Sequence, residues 1–149
     1  GKIQNIAGAD SIEEQRLNFE KPLIVMSSDK WNSDVHNMLR DDEQLRFDFL
    51  CCLSGVDYQE HMEVVYQLHS IPLDNYLMVK VKTPRDNPSV RSVKATWNTA
   101  DWHEREAYDL LGIIFEGHPN LTRILLEDDW EGHPLRKDYN IDKSTLGLD

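Results

Sequence analysis

Three β-rich runs, "MEVVYQLHS" (62–70), "NYLMVKVKT" (75–83) and "VRSVKATW" (90–97), follow one another with only the turn-forming "IPLD" and "PRDNPS" between them. Links that short cannot carry a crossover, so the runs are expected to pair in opposite directions as an antiparallel meander. Alternation along the middle run puts Leu77, Val79 and Val81 on one face and Met78, Lys80 and Lys82 on the other. One face is therefore expected under helices and the other partly wet.

The segments around the meander supply candidates for that cover. "KPLIVMSS" (21–28) is short and nearly all apolar, which reads as a strand covered on both faces. Ser28 or Asp29 is then placed to cap a helix in which Trp31, Val35, Met38 and Leu39 share one face before "RDDE" ends it. "LRFDFLCCLSGVDY" (45–58) is apolar on most sides and stops at Gly55, which predicts a short buried helix. "ADWHEREAYDLLG" (100–112) predicts another, with Asp101 as its cap, Glu104 completing a capping box and Gly112 ending it. From Phe115 onward Gly, His-Pro and clustered charges interrupt every apolar run, so an extended arm with at most short helical turns is expected. The fold class that results is α+β. A two-layer domain (1–112, with 1–20 unassigned) has a mixed, largely antiparallel sheet covered by helices, and an extended C-terminal docking arm (113–149) follows it.

The balance of 40% hydrophobic and 29% charged residues is that of a globular chain, and 149 residues suit one domain or one domain with a tail. A net charge of -11 gains nothing from counterion release on nucleic acid and is repelled by anionic lipid. The apolar runs "PLIVM", "FLCCL" and "LLGIIF" are far shorter than the roughly 20 residues of a membrane-spanning helix, so no direct membrane insertion is expected. The opening residues combine no basic stretch, apolar run and cleavage site, and the expected compartment is the cytosol. Cys51 and Cys52, the two cysteines, are neighbours that cannot link distant parts of the fold or supply the four thiolates of an iron–sulfur cluster. Both are expected as small buried hydrophobes.

Two candidate chemistries meet in the C-terminal third. On a helical projection of residues 102–111, Glu106 falls between Trp102 and Leu110, inside the apolar arc, with no cation of its own helix to pair it. Arg105 and Asp109 can pair with each other at i, i+4. "HEREA" (103–107) begins like the zinc motif His-Glu-x-x-His but has Ala107 where the second ligand belongs. A metal hydrolase would have to assemble His103, His118 and His133 around zinc with Glu104 as base, a spacing that matches no compact metal motif. The triplet Gly-His-Pro, at 117–119 and again at 132–134, has a mechanical reading instead. Proline forces His118 and His133 towards extended backbone, while Gly117 and Gly132 allow bends just before them. The intervening "NLTRILLEDDWE" then forms a defined loop and "LRKDY" leaves in a fixed direction. Its Arg136 and Lys137, beside Asp138 and Tyr139, are cations in an acidic chain and are expected to meet acidic groups on a partner.

Glu104-Arg105-Glu106, Asp109, Gly112-Ile113, Phe115, Gly117-His118-Pro119, Leu121, Arg123-Ile124-Leu125 and the run from Gly132 to Tyr139 together resemble the signature of the thirty-kilodalton subunit of respiratory complex I, the proton-pumping NADH:quinone oxidoreductase. "LRFDFL" and "VDY" resemble an earlier block of the same family, so the resemblance covers most of the chain after about residue 20. Leu111 stands where many relatives carry an aromatic. The resemblance implies a peripheral-arm subunit with no cofactor of its own, iron–sulfur clusters, flavin and quinone lying on other subunits. It implies a place on the cytoplasmic side of the membrane and docking on the hydrogenase-like large subunit that helps form the quinone site. It also admits the equivalent subunit of a related quinone or ferredoxin oxidoreductase or membrane-bound hydrogenase. The partner-facing residues it implies are Glu104, Arg105, Glu106, Asp109, His118, Pro119, Arg123, His133, Pro134, Arg136, Lys137, Asp138 and Tyr139.

Overall fold

The computed structural model describes residues 12–18, 21–119, 121, 133 and 136. Strands β1 (Ile12–Asn18) and β2 (Lys21–Ser27) lead through a 3-10 turn at Ser28–Lys30 into helix α1 (Ser33–Asp41). Strands β3 (Phe49–Asp57), β4 (Met62–Ser70) and β5 (Asn75–Thr83) follow, then the short β6 (Ser89–Arg91), helix α2 (Ala100–Leu111) and the short β7 (Ile114–Glu116). The main sheet has the order β1-β2-β5-β4-β3, and its one parallel pair is β2 with β5. The expected class, a mixed and largely antiparallel sheet in an α+β domain, is therefore the one observed.

The meander is shifted by one strand from its expected place. β4 and β5 pair antiparallel from Met62–Thr83 to Ser70–Asn75, turning at a tip where Asp74 takes φ 51°. The third member is β3, not the run at 90–97. Residues 49–57 form this strand in place of the predicted buried helix, because the alternation that too many apolar residues obscure is restored by a register shift between Leu50 and Cys52. Leu50, Leu53 and Asp57 are buried, while Phe49, Cys51 and Ser54 face out. Cys51 is thus exposed and Cys52 half-buried, contrary to the expectation for both. Of the run at 90–97 only Val90 and Arg91 are strand, within β6, which forms a separate parallel pair with β7. Beyond it the chain coils tightly, Thr96 N and Trp97 N donating to Val93 O, so that the Trp97 indole N–H reaches Phe47 O at 2.8 Å.

Helix α1 is capped by Asn32, whose Oδ1 accepts from Val35 N at 3.1 Å, rather than by Ser28 or Asp29, which belong to the 3-10 turn. Its buried Val35 and Leu39 join Trp31, Tyr66, Val64, Val79 and Val81 in the core between helices and sheet. The alternation of Leu77, Val79 and Val81 against Met78, Lys80 and Lys82 is observed, the second set being half-buried. β2 is buried on both faces, as its composition requires: Ile24 and Met26 enter the core cluster, and Leu23 and Val25 are buried on the opposite face. The core continues past Gly112, for Ile113 and Phe115 are buried members of it.

Candidate functional site

The residues singled out by the sequence converge on α2, and each side of this 12-residue helix meets something different. Towards the core it presents Ala100, Glu104, Ala107 and Leu111, at i, i+4, i+7 and i+11. β3 makes room for them at Gly55: a Cβ there would lie 2.6 Å from Leu111 Cδ1 and 3.7 Å from Ala107 Cβ. Gly55 is a contact point for α2, not the end of a helix.

Glu104 is the carboxylate that enters the core, and no capping box forms. Its Oε1 accepts from the Ser92 hydroxyl at 2.7 Å and its Oε2 from Val93 N at 3.3 Å, with no solvent exposure. Burial pushes its pKa up to about 7, an effect opposed by the two hydrogen bonds. The Tyr66 hydroxyl, wholly buried, is raised well above its usual range by burial and then by the Glu104 charge. Glu106, the buried acid of the helical projection, is only half-buried, and Trp102, placed in the same arc, is 53% exposed. The projected arc centres on the wrong side because Trp102 and Leu110 dominate it, whereas Ala100, Glu104, Ala107 and Leu111 form the face that fits against β3.

The second side of α2 carries the two histidines of the repeated triplet. At the first turn His118 Nε2 lies 2.8 Å from Asp101 Oδ1, its side chain fully buried. At the last turn the His133 Nδ1–H donates to Asp109 O at 2.9 Å and the Arg136 Nε–H donates to Leu111 O at 2.7 Å. Carbonyls at a helix C-terminus have no partner within the helix, and this end also carries partial negative charge. Two donors from the second triplet region therefore complete the helix. Gly112, at φ 77°, is required twice over: it takes the left-handed C-cap, and a Cβ there would lie 2.6 Å from His133 Cδ2 and 2.9 Å from Arg136 Nη2. Gly117, at φ 84°, makes the expected bend before His118.

These positions rule out convergence of the histidines on one metal. Asp101 and Asp109, to which His118 and His133 are bound, are eight residues apart on one helix, about 12 Å along its axis. Among the described residues no three His, Cys, Asp or Glu side chains are grouped to hold a metal ion.

The family model described as respiratory-chain NADH dehydrogenase, 30 Kd subunit, matches residues 24–145. The chain belongs to that family. A NADH-quinone oxidoreductase subunit of Chloroherpeton thalassium is 48% identical over 142 residues, covering 93% of this chain and 59% of the relative. Its counterpart in Chlorobium phaeobacteroides is 46% identical over 127 residues, 83% of this chain and 76% of the relative. The chain thus spans about three-fifths to three-quarters of these two relatives. Among solved structures, the trypsin-resistant fragment (1-134) of Nqo5 matches with a TM-score of 0.66 at 28% identity, over 80% of this chain and 97% of the fragment. A chain in the membrane-bound sulfane sulfur reductase, an archaeal respiratory membrane complex, matches with a TM-score of 0.73 at 25% identity, over 98% of this chain and 86% of that one.

The residues expected to face a partner divide into four groups. Glu104 and Asp109 are fully buried in the chain itself and are not surface groups. His118, His133 and Arg136 bind α2 with the atoms described above, so Arg136 has a place in the fold where the sequence points only to a partner contact. Arg105 and Glu106 are half-buried and Pro119 is exposed. Arg123, Pro134, Lys137, Asp138 and Tyr139 lie outside the described residues. One ion pair has no signal in the sequence: Arg85 grips the buried Asp57 with two bonds, Nε–Oδ1 at 2.9 Å and Nη2–Oδ2 at 3.0 Å. Its members stand 28 positions apart, and the pairing of β3 with β4 and of β4 with β5 brings them near.

Proposed function

We propose that this chain is a peripheral-arm subunit of a complex I type NADH:quinone oxidoreductase. It carries no cofactor and serves to assemble the complex by docking on the hydrogenase-like large subunit beside the quinone site. The observation that carries the reading is the double attachment of the signature segment to α2. The chain is fastened to α2 at His118 and again at His133 and Arg136. A segment tethered at both ends to one rigid helix loses less entropy on meeting a partner than a free tail does. Arg105, Glu106, Pro119, Arg123, Pro134, Lys137, Asp138 and Tyr139 are the residues we assign to the partner surface. Among the described residues no helix is long and apolar enough to cross a membrane, and the proposed place is peripheral, on the cytoplasmic side.

The test is complementation in a cell lacking this gene, read as NADH:quinone activity of membranes and as recovery of the large subunit with this chain. Full activity and assembly without the chain would reject the assembly role. Stoichiometric iron or flavin in the purified chain would reject the cofactor-free part. A second reading, the equivalent subunit of a related respiratory oxidoreductase, is favoured by the match to the sulfane sulfur reductase chain over 98% of this one. Ferredoxin-driven rather than NADH-driven activity of the complemented membranes would select it.

A further inference from the structure

Among the described residues, Trp102, Glu106 and Leu110 of α2 belong neither to the core cluster nor to the hydrogen bonds made by the two histidines. Measured from Ala100 at about 100° per residue, the core-facing Glu104, Ala107 and Leu111 lie within about 40° of it, while Asp101 and Tyr108 lie at about 100° and 80°. The latter pair faces the two histidines: Asp101 binds His118, and the Tyr108 ring lies 6.1 Å from that of His133. Trp102, Glu106 and Leu110 lie at about 200°, 240° and 280°, one turn apart in a stripe. Trp102 is 53% exposed, and Glu106 and Leu110 are half-buried. No hydrogen bond or ion pair to Glu106 occurs among the described residues, although its acidic neighbour Glu104 is fully satisfied.

We infer that this stripe receives an arginine from a neighbouring subunit of the complex, the guanidinium lying on the Trp102 indole and pairing with the Glu106 carboxylate while an apolar group covers Leu110. The inference rests on the subunit role proposed above and gives that role a specific contact. Charge decides the chemistry. A carboxylate between two apolar side chains, on a chain of net charge -11, is complementary to a cation and repels both a second acidic copy and anionic lipid. Geometry favours arginine over lysine. Residues i and i+4 are neighbours on a helix surface, and a planar guanidinium can stack on the ring and fork to the carboxylate at once. Tryptophan and arginine are also the side chains that most often dominate interface energetics.

The full-length chain, tagged and expressed in its own cell, carries Trp102→Ala, Glu106→Gln, Glu106→Arg or Leu110→Ala, with Gln67→Ala on the exposed sheet face as control. Two quantities are read: the share of tagged chain in the assembled membrane complex, and the melting temperature of the isolated chain. Trp102→Ala and Glu106→Arg are expected to lower incorporation by about tenfold or more. Glu106→Gln should lower it less, and all melts should stay at the wild-type value. Normal incorporation of Trp102→Ala and Glu106→Arg overturns the inference, as does a fall in melting temperature that accounts for the loss. Failure of the wild-type chain to enter any complex rejects the subunit role instead, so the two ideas fail separately. A benzophenone amino acid at position 102, cross-linked in the assembled complex, names the neighbour. The expected peptide contains an arginine; a peptide without one, or one from a second copy of this chain, overturns the assignment.

Discussion

Replacing Glu104 by glutamine should make the domain more stable above neutral pH, although two hydrogen bonds run to the residue replaced. In the fold its carboxyl is held at about 7 against an ordinary 4.5, chiefly because burial disfavours the charged form. Below pH 4.5 both folded and unfolded chains carry the proton, and the group has no effect on stability. Between 4.5 and 7 the unfolded chain releases the proton while the folded one keeps it, so stability falls as pH rises. Above 7 both have released it and the penalty is constant. At roughly 1.4 kcal/mol per unit the full penalty is about 3 kcal/mol, and about 2 to 3 kcal/mol of it develops between pH 5 and 8.

Many other carboxylates titrate over that range, so the informative quantity is the difference between variant and wild type. Denaturant unfolding of wild type and Glu104→Gln at pH 5 and pH 8 should show the variant gaining about 2 to 3 kcal/mol relative to wild type between the two conditions. Glu104→Ala should be destabilised at both, by roughly 2 to 4 kcal/mol, because it opens a cavity and leaves the Ser92 hydroxyl and Val93 N–H without their acceptor. A difference between Gln and Glu that is the same at pH 5 and 8 would refute the argument. It would mean that Glu104 is ionised throughout and that Lys94 or water compensates it.

Three further outcomes follow from the geometry of α2 and its surroundings. Gly112→Ala should cost roughly 1 to 3 kcal/mol in a thermal or denaturant melt, since it forces an L-residue to positive φ and a methyl group against His133; an unchanged melt would displace His133 from its seat. Arg136→Ala, expected from sequence to weaken only docking, should also lower the melt, by about 0.5 to 1.5 kcal/mol or somewhat more for a charged donor, because it frees the Leu111 carbonyl. Arg85→Ala leaves the Asp57 carboxylate buried without its cation and should cost roughly 3 to 5 kcal/mol, with Arg85→Lys recovering only part; a loss below about 1 kcal/mol would show that the pair is solvated.

The sequence is legible where one periodicity holds over a whole element. β4 and β5 can be placed to the residue because their alternation runs for nine positions in each and their link is too short for any other pairing. β3 escapes because a bulge breaks the same alternation after Leu50, and a broken period of two in an apolar run looks like no period at all. The end of α2 at Gly112 is readable and its buried face is not. Hydrophobicity points to Trp102 and Leu110, but what fits against Gly55 is decided by volume, and the buried acid depends on a serine donor twelve positions upstream. The histidines of the two triplets act as mechanical parts, as their Gly and Pro neighbours suggest. That their targets are the two ends of a single helix has no local signal, since a bend does not say which element it folds back onto.

That arrangement couples docking to folding. The last turn of α2 depends on His133 and Arg136 for its carbonyl partners, and those residues flank the segment proposed to meet the large subunit. A partner that holds this segment in place stabilises the bonds to Asp109 O and Leu111 O. By linkage the same bonds, when intact, must strengthen the partner's binding by an equal free energy. Damage at Gly112, which touches no partner in this scheme, should therefore weaken incorporation into the complex as well as the melt. The loss in docking cannot exceed the loss in stability at that turn. A Gly112→Ala chain that melts about 2 kcal/mol lower yet loses far more than about 30-fold in affinity for the large subunit would show that Gly112 is itself a contact, and would move the partner's edge onto the C-terminus of α2.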